Sequence, residues 1–402
     1  MKTKLINASS IIGMLVVLFT SAVWANDESA EITALTEAVK KDLQDINAYS
    51  PFANFHKLYP ASKNTWEYLE AQTEKRLDDW KKAAEAGIPE GQVLFALHYM
   101  RPSNARLEEN REEMAREMRN WFRKAAEQGN ADGQFWHGQL SGRAERVDWL
   151  RKAAEQGHAR AQYELGNAIQ WSADRDVVEM AKWYRKAAEQ GLVEAQWSAG
   201  MSYRGWGGIP YDPVEAAKWY RKAAEQGLPQ AMQGLGRFYL EGKGVPQNSA
   251  QAVEWFYKSI ENGDPGGWAA HYLGECYLKG NGVPKDTEKA VGLFRTAATQ
   301  NFAASYYKLA WCYTTGTGVS KDTEEAKRWL REAERKYSFR SLSWRYVDDA
   351  ATLLKNLEAG VELDADGNAV QPAPRNVPLP LRLRILAGLL ELSGIEVDVV
   401  WR

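Results

Sequence analysis

Cysteine is nearly absent: 402 residues carry two, Cys276 and Cys312. That excludes a disulfide framework and a multi-cysteine zinc module. Neither sign of charge is in excess, with 51 Lys+Arg against 53 Asp+Glu and a net charge of −2. A nucleic-acid binder held by bulk charge is excluded on that balance. The 32 glycines and 14 prolines are too few for a collagen-like or low-complexity chain. Long apolar runs are also missing, apart from the ten residues 11–20 (IIGMLVVLFT) near the start. That run is half of the roughly 20 residues a membrane-spanning helix needs. Lys2 and Lys4 precede it, and Val23 and Ala25 put small residues just ahead of Asn26. This is the three-part pattern of a secretory signal peptide. Cleavage after Ala25 and a soluble chain, periplasmic or secreted, are expected. The residue directly after the cleavage point is Asn26 and not a cysteine, which excludes a lipoprotein.

Aromatic rings are what the chain has in abundance: 17 Trp, 18 Tyr and 11 Phe, against a mean hydropathy of −0.53. So many large rings in a polar chain point to one position used repeatedly, and self-similarity bears this out. WFRKAAEQG ends at Gly129, WLRKAAEQG at Gly157, and WYRKAAEQG at both Gly191 and Gly227. Weaker copies end at Gly87 (DWKKAAEAG), Gly263 (WFYKSIENG), Asn301 (LFRTAATQN) and Tyr337 (WLREAERKY). Successive copies lie 42, 28, 34, 36, 36, 38 and 36 residues apart. A second block follows each copy, clearest in AMQGLGRFYLEGKGV from Ala231 and AAHYLGECYLKGNGV from Ala269. Ala231, Leu235, Gly236 and Tyr239 recur there at helical spacing. Glycines then break that helix, and a second one follows, ended by a glycine as a left-handed cap. One unit is therefore helix A, a Gly-rich loop, helix B and a short turn. Trp121, Trp149, Trp183, Trp219, Trp255 and Trp329 are expected to fill the space between helices, with small Ala and Gly residues allowing close approach.

These blocks resemble the Sel1-like repeat family, a variant of the tetratricopeptide-type helix pair, from Asp79 to about Tyr337. The resemblance implies an all-α, right-handed superhelical solenoid whose A helices line a concave surface, commonly a protein-binding scaffold. Four domains are expected. They are a signal peptide (1–25), an N-terminal helical cap (26–76), the repeat array (77–337), and a C-terminal capping helix with a small extension (338–402). The cap reads as helices near Glu28–Ile46 and Thr65–Arg76 around a Pro51–Pro60 loop. The charged stretch NARLEENREEMAREMRN is expected to lengthen one B helix. Ser341–Leu357 reads as a closing helix. Beyond it come a hairpin at Val361–Val370, a proline-punctuated linker, an apolar helix at Leu381–Leu392 and a strand at Ile395–Trp401.

Motifs of chemistry are sparse. His56, His98, His137, His158 and His271 form no HExxH and pair with no cysteine at metal spacing, so no metal and no cofactor are expected. His137 falls on the core position used by Leu165 and Leu235. Cys276 and Cys312 sit at equivalent points of successive A helices, about 8–10 Å apart and beyond disulfide reach. Two separate, semi-buried thiols are expected. Ser305-Tyr306-Tyr307-Lys308 matches the S-x-x-K of serine enzymes acting on β-lactams, but no SDN or KTG follows it. The segment from Asp364 to Asn368 resembles a calcium loop with its glycine misplaced, and reads as a turn. Arg123, Arg151, Arg185 and Arg221 each stand four residues before a glutamate, a pattern expected to form salt bridges along exposed helix faces.

A partner would use positions that the repeat does not need. The sixth residue after each terminal glycine lies well over 90° from the core face of helix A. Through the array it reads Val93, Phe135, Tyr163, Trp197, Gln233, His271 (after a two-residue insertion) and Tyr307. Trp311 lies one turn beyond Tyr307. With Arg204 and Arg237 nearby, Phe135, Tyr163, Trp197, His271, Tyr307 and Trp311 form the expected recognition surface for a protein or peptide. The alternative is that these rings pack against the neighbouring A helix. The sequence reads as an exported, non-enzymatic adaptor, with no catalytic residues and no nucleic-acid partner. A peptidoglycan- or β-lactam-acting envelope protein, up to a serine β-lactamase-like hydrolase, is the alternative.

Overall fold

The structure, a computed structural model, describes residues 30–45, 75–100, 111–172, 175–205, 209–264, 266–337, 353 and 355–359. Those residues contain helices and connections, and no strand among them. The helices are α1 (30–45), α2 (75–85), α3 (Pro89–Tyr99), α4 (Arg111–Glu127), α5 (Ala131–Leu140), α6 (Arg143–Glu155), α7 (Ala159–Gln170) and α8 (Val177–Glu189). There follow α9 (Val193–Ser202), α10 (Pro213–Glu225), α11 (Pro229–Glu241), α12 (Ser249–Glu261), α13 (Trp268–Lys279), α14 (Thr287–Thr299), α15 (Ala303–Thr315) and α16 (Thr323–Tyr337). A last helical stretch, α17, comprises 353 and 355–358. Odd numbers from α3 to α15 are the A helices of the repeat, and even numbers from α2 to α16 the B helices. The chain forms two compact units, Met1–Gln247 and Asn248–Arg402. Within each unit every repeat helix packs on the next in sequence, as a solenoid of helix pairs must. The hairpin, linker, apolar helix and strand expected after residue 360 lie outside the described residues, as do the Pro51–Pro60 loop and residues 1–29.

The AAEQG ending sets the geometry of each pair. Gly87, Gly129, Gly157, Gly191, Gly227 and Gly263 all have positive φ. In the first repeat the Gly87 N–H bonds to the Ala84 carbonyl, and the Ile88 N–H to that of Ala83. This is the Schellman pair of hydrogen bonds, which satisfies the last carbonyls of the B helix and starts the A helix at once. The same two bonds recur through Gly227 and Leu228. Asn301 takes the glycine's place at φ 64, the one non-glycine in this region among the described residues. Side-chain caps start the later B helices: Asp176, Asp212, Asn248, Asp286 and Asp322 each accept a backbone N–H of the first turn.

Packing then closes around the paired alanines. Ala83, Ala125, Ala153, Ala187 and Ala223 in the first unit, and Ala297 in the second, are fully buried. A Cβ on Gly91 would stand 2.4 Å from the Ala83 Cβ, and one on Gly133 would stand 2.6 Å from that of Ala125. On the B helices the large buried side chains include Trp80, Phe122, Leu150, Tyr184 and Tyr220, then Phe256, Phe294 and Leu330 in the second unit. All stand one residue after the tryptophan position or its equivalent, which in the first copy is held by Asp79. The expectation that the repeat tryptophans are the interior filling needs correcting on this point. Trp183 and Trp219 are buried as expected, but Trp121, Trp149, Trp255 and Trp329 are only half-buried. Each of Trp121, Trp149, Trp183, Trp219 and Trp255 has the lysine three residues on, one helical turn away, over its ring at 4.0–4.5 Å. Trp80 is the informative exception. It stands one place later than the other tryptophans, occupies the interior site, and donates its indole N–H to Asp42 of α1 at 2.9 Å.

The arginine ladder is also only partly as expected. Arg123–Glu127 and Arg185–Glu189 pair at i,i+4. Arg151 instead reaches Glu179 of the next B helix, and Arg221 donates to the Tyr239 hydroxyl. An arginine long enough to span the interhelix gap takes the better-placed acceptor. The expected long B helix is present: α4 has 17 residues where most of its counterparts have 13.

A second glycine serves the A-to-B loop. A Cβ on Gly244, at φ +68, would stand 1.9 Å from the Pro213 carbonyl oxygen at the start of α10. Gly282 meets Ser249 and Gly318 meets Thr287 in the same way. The loop thus lies directly on the first turn of the preceding B helix. Gly263, by contrast, has open space around it. Gly263→Ala should therefore cost only the left-handed strain, about 1–2 kcal/mol. Gly244→Ala adds a backbone overlap and should cost about 1–3 kcal/mol more. Thermal unfolding of the two variants beside the parent checks the order.

Candidate functional site

Eight residues were expected on the recognition surface, and the structure divides them. Phe135 is 5% exposed and stacks on His158 of the following repeat at 4.8 Å. His271 is 3% exposed, its ring 4.7 Å from Phe302 and its Nδ1 2.8 Å from the Ser305 Oγ. Both are covered by the next A helix, so they leave the accessible surface. Val93 is buried in the same row. The physical reason is spacing. Successive A helices lie close enough that a ring at the sixth position meets the start of the next one.

The remaining six are half-buried: Tyr163, Trp197, Arg204, Arg237, Tyr307 and Trp311. Tyr163 has the Arg160 guanidinium 5.2 Å from its ring centre and tilts against Tyr184 at 5.7 Å. Lys308 lies over Trp311 at 5.9 Å. In the first unit, two of the six converge on one pocket. Arg204 at the end of α9 and Arg237 on α11 line a cavity of about 180 Å³ with Tyr211, Tyr220, Gly234, Phe238, Glu241 and Lys243. Glu241 accepts from Lys243 at 2.6 Å and from Arg237 at 3.5 Å. Burial pushes the Glu241 carboxyl up, but these two cations outweigh it and hold it below the usual range. The glutamate is therefore ionised at neutral pH.

The S-x-x-K match does not form a nucleophile with its base. Ser305 is completely buried, its hydroxyl faces His271, and Lys308 pairs with Glu275 at 2.8 Å. Cys276 and Cys312 are free, and both are buried rather than semi-buried. Burial pushes their thiols up to about 11 and about 12, away from the thiolate that reactive chemistry needs. His137 is half-buried against Trp149 at 5.1 Å. Among the described residues no three side chains of metal-ligating type converge. No described helix is long and apolar enough to cross a membrane.

Two constellations escaped the sequence reading. The first is a glutamine ladder. The amide groups of Gln128, Gln156, Gln190 and Gln226 at the ends of B helices donate to Gln92, Gln134, Gln162 and Gln196 on A helices, at 2.7–2.9 Å. Each acceptor glutamine lies within 3.5 Å of the carbonyl of the second alanine of its own repeat, Gln162 reaching Ala154 at 3.0 Å. The signal was present, because all eight glutamines sit at fixed offsets from the terminal glycine. The second is an ion network on α7. Arg160 pairs with Glu164 at 3.1 Å and Glu194 at 3.5 Å, and Arg146 reaches Glu164 at 3.6 Å. Arg160 and Glu164 are buried. Their i,i+4 spacing was legible, but not their burial.

A family model described as Sel1 repeat matches residues 119–130, 147–158, 159–192, 193–228, 229–264, 269–302 and 303–337. The fold is similar to the crystal structure of a protective antigen present in uropathogenic Escherichia coli strains, which displays an SLR fold. The TM-score is 0.60, with 24% identity, over 81% of this chain and 68% of that one. A Sel1 repeat protein from Oxalobacter formigenes is 31% identical over 48% of this chain and 82% of that one, with a TM-score of 0.42. No curated protein matches the chain.

Burial of His271 has a measurable consequence. Desolvation pushes its imidazole down to about 4, with Lys308 and Lys279 adding to the effect and Glu275 opposing it. The unfolded chain binds that proton near pH 6.5, so stability is lost as pH falls from about 6.5 to about 4. The loss amounts to roughly 3 kcal/mol at the lower end. Glu275 adds to it at the acid end. Burial raises its carboxyl, but Lys308 and Lys279 hold it below the usual range, and protonation gives that stabilisation up. Denaturant unfolding across this window should show the slope, and His271→Gln should flatten it between pH 6.5 and 4.5.

Proposed function

This chain belongs to the Sel1 repeat family, and from that membership we propose that it is an exported, non-enzymatic adaptor holding a protein or peptide partner. Sel1 repeat solenoids are commonly protein-interaction scaffolds, which supports the partner class. One observation supports the location: Tyr163 on α7, with one side against Tyr184, and Trp197 on α9 both keep half-buried rings that the following A helix does not cover fully. Large amphipathic rings held on a rigid helix lose little entropy on binding, and they dominate the energetics of protein interfaces. The serine-hydrolase alternative has lost its carrier, because Ser305 has no exposed surface.

Export is supported by the N-terminal pattern of Lys2 and Lys4, the apolar run 11–20, and small residues at Val23 and Ala25. A periplasmic chain beginning at Asn26 is the expected product. Mass measurement of the protein recovered from a bacterial envelope fraction should give that N-terminus, and retention of residues 1–25 would reject it. Tyr163→Ala combined with Trp197→Ala should lower the unfolding midpoint, since Tyr163 packs on Tyr184, yet leave the protein folded with cross-linked capture of the partner reduced at least tenfold. Full capture by a folded double variant would move the interface elsewhere.

A further inference from the structure

The Arg204–Arg237 pocket has the make-up of a receptor for one anionic group. Three cations line it, Arg204, Arg237 and Lys243, against the single carboxylate of Glu241. Lys243 and Arg237 share that carboxylate. Among the described residues the Arg204 side chain meets the Met201 sulfur, at 3.5 Å, and the Tyr220 phenol, and makes no ion pair with a carboxylate. The cavity exists because of one residue. At the seventh place after the terminal glycine, the A helices of this unit carry Leu94, Trp136, Glu164, Ser198 and then Gly234. A Cβ on Gly234 would touch the Tyr220 ring at 3.4 Å, so any longer side chain would occupy the space. A volume of about 180 Å³ holds about six waters at bulk density, or one small side chain.

We propose that this pocket binds a peptide carboxylate of the partner, a proposal that rests on the scaffold reading above. Guanidinium groups match the planar, two-oxygen geometry of a carboxylate. Glu241 argues against phosphate, since a multiply charged anion beside its carboxylate is repelled more strongly than a singly charged one. It suits a peptide, whose backbone N–H lies a few bonds from its carboxylate and can donate to the Glu241 oxygen. Tyr211, 56% exposed at the rim, and Phe238 flank the aliphatic stem. The carboxylate comes from an acidic side chain or from the partner's C-terminus, and the probes below separate the two.

The test titrates the purified protein, carrying ¹³C-methyl methionine, with N-acetyl-glutamate amide, N-acetyl-alanine, inorganic phosphate and, as the uncharged control, N-acetyl-glutamine amide. Met201 is the reporter, because its sulfur accepts from the Tyr220 hydroxyl at 3.0 Å beside Arg204. A saturable shift with either carboxylate, weakened at least tenfold by Arg204→Gln and by Arg237→Gln, supports the site. Saturation by N-acetyl-glutamate amide assigns a side chain, and by N-acetyl-alanine alone a chain terminus. Gly234→Leu retains every charge and replaces a glycine within a helix, so the protein should stay folded while binding is lost. Tighter binding of phosphate, an equal shift with the glutamine amide, or binding that survives the arginine substitutions overturns the proposal. So does silence from both carboxylates. If partner capture persists while the pocket is silent, only the pocket fails. If the parent protein captures no partner, the scaffold reading itself fails.

Discussion

The close approach of alanine to glycine or alanine, where each B helix turns into the next A helix, governs the array. With Ala83 facing Gly91 and Ala125 facing Gly133, the helices come together until there is no room for another methyl group. Dispersion is strongest at such short range, and the packing is correspondingly intolerant of added volume. The turn has to be equally tight, which is why a left-handed residue closes each B helix. The large rings fill what remains further along the helices. That is why the position after the repeat tryptophan is the deeper one, while the tryptophan itself is only half-buried in four of the six repeats.

Such close contact also brings backbone carbonyls within reach of side chains, and the first unit exploits this with glutamines. Gln162 reaches the carbonyl of Ala154 behind it and accepts from Gln190 ahead of it, linking one repeat to the next through a buried amide. A buried amide left unsatisfied would cost more than the bond contributes, so the ladder specifies register as well as adding stability. At the corresponding place in α11 the residue is Met232, and in α15 it is Tyr306, whose hydroxyl donates to Ala298. Different side chains answer the same carbonyl.

Recognition, on this architecture, is limited to what stacking leaves over. The sixth A-helix position was a reasonable place to look, since helical geometry turns it away from its own pair. Phe135 and His271 nonetheless disappear beneath the following repeat, because the angle around one helix says nothing about the helix stacked beside it. Tyr163 and Trp197 remain accessible in the first unit. Beside Tyr220, the missing side chain of Gly234 opens a cationic pocket.

The repeat, its helix pair and its glycine turns were fully legible in the sequence, because they depend on interactions within about ten residues and recur at fixed offsets. So was the row of candidate positions, as a set of angles on isolated helices. Contacts between repeats were not legible. Whether Arg151 would turn to Glu155 or to Glu179, and whether His271 would meet a partner or Ser305, depends on distances across neighbouring helices. The sequence by itself determined that the chain stacks helix pairs. The tertiary structure decided which side chains the stacking consumes, since burial is a property of two packed surfaces and not of either one alone.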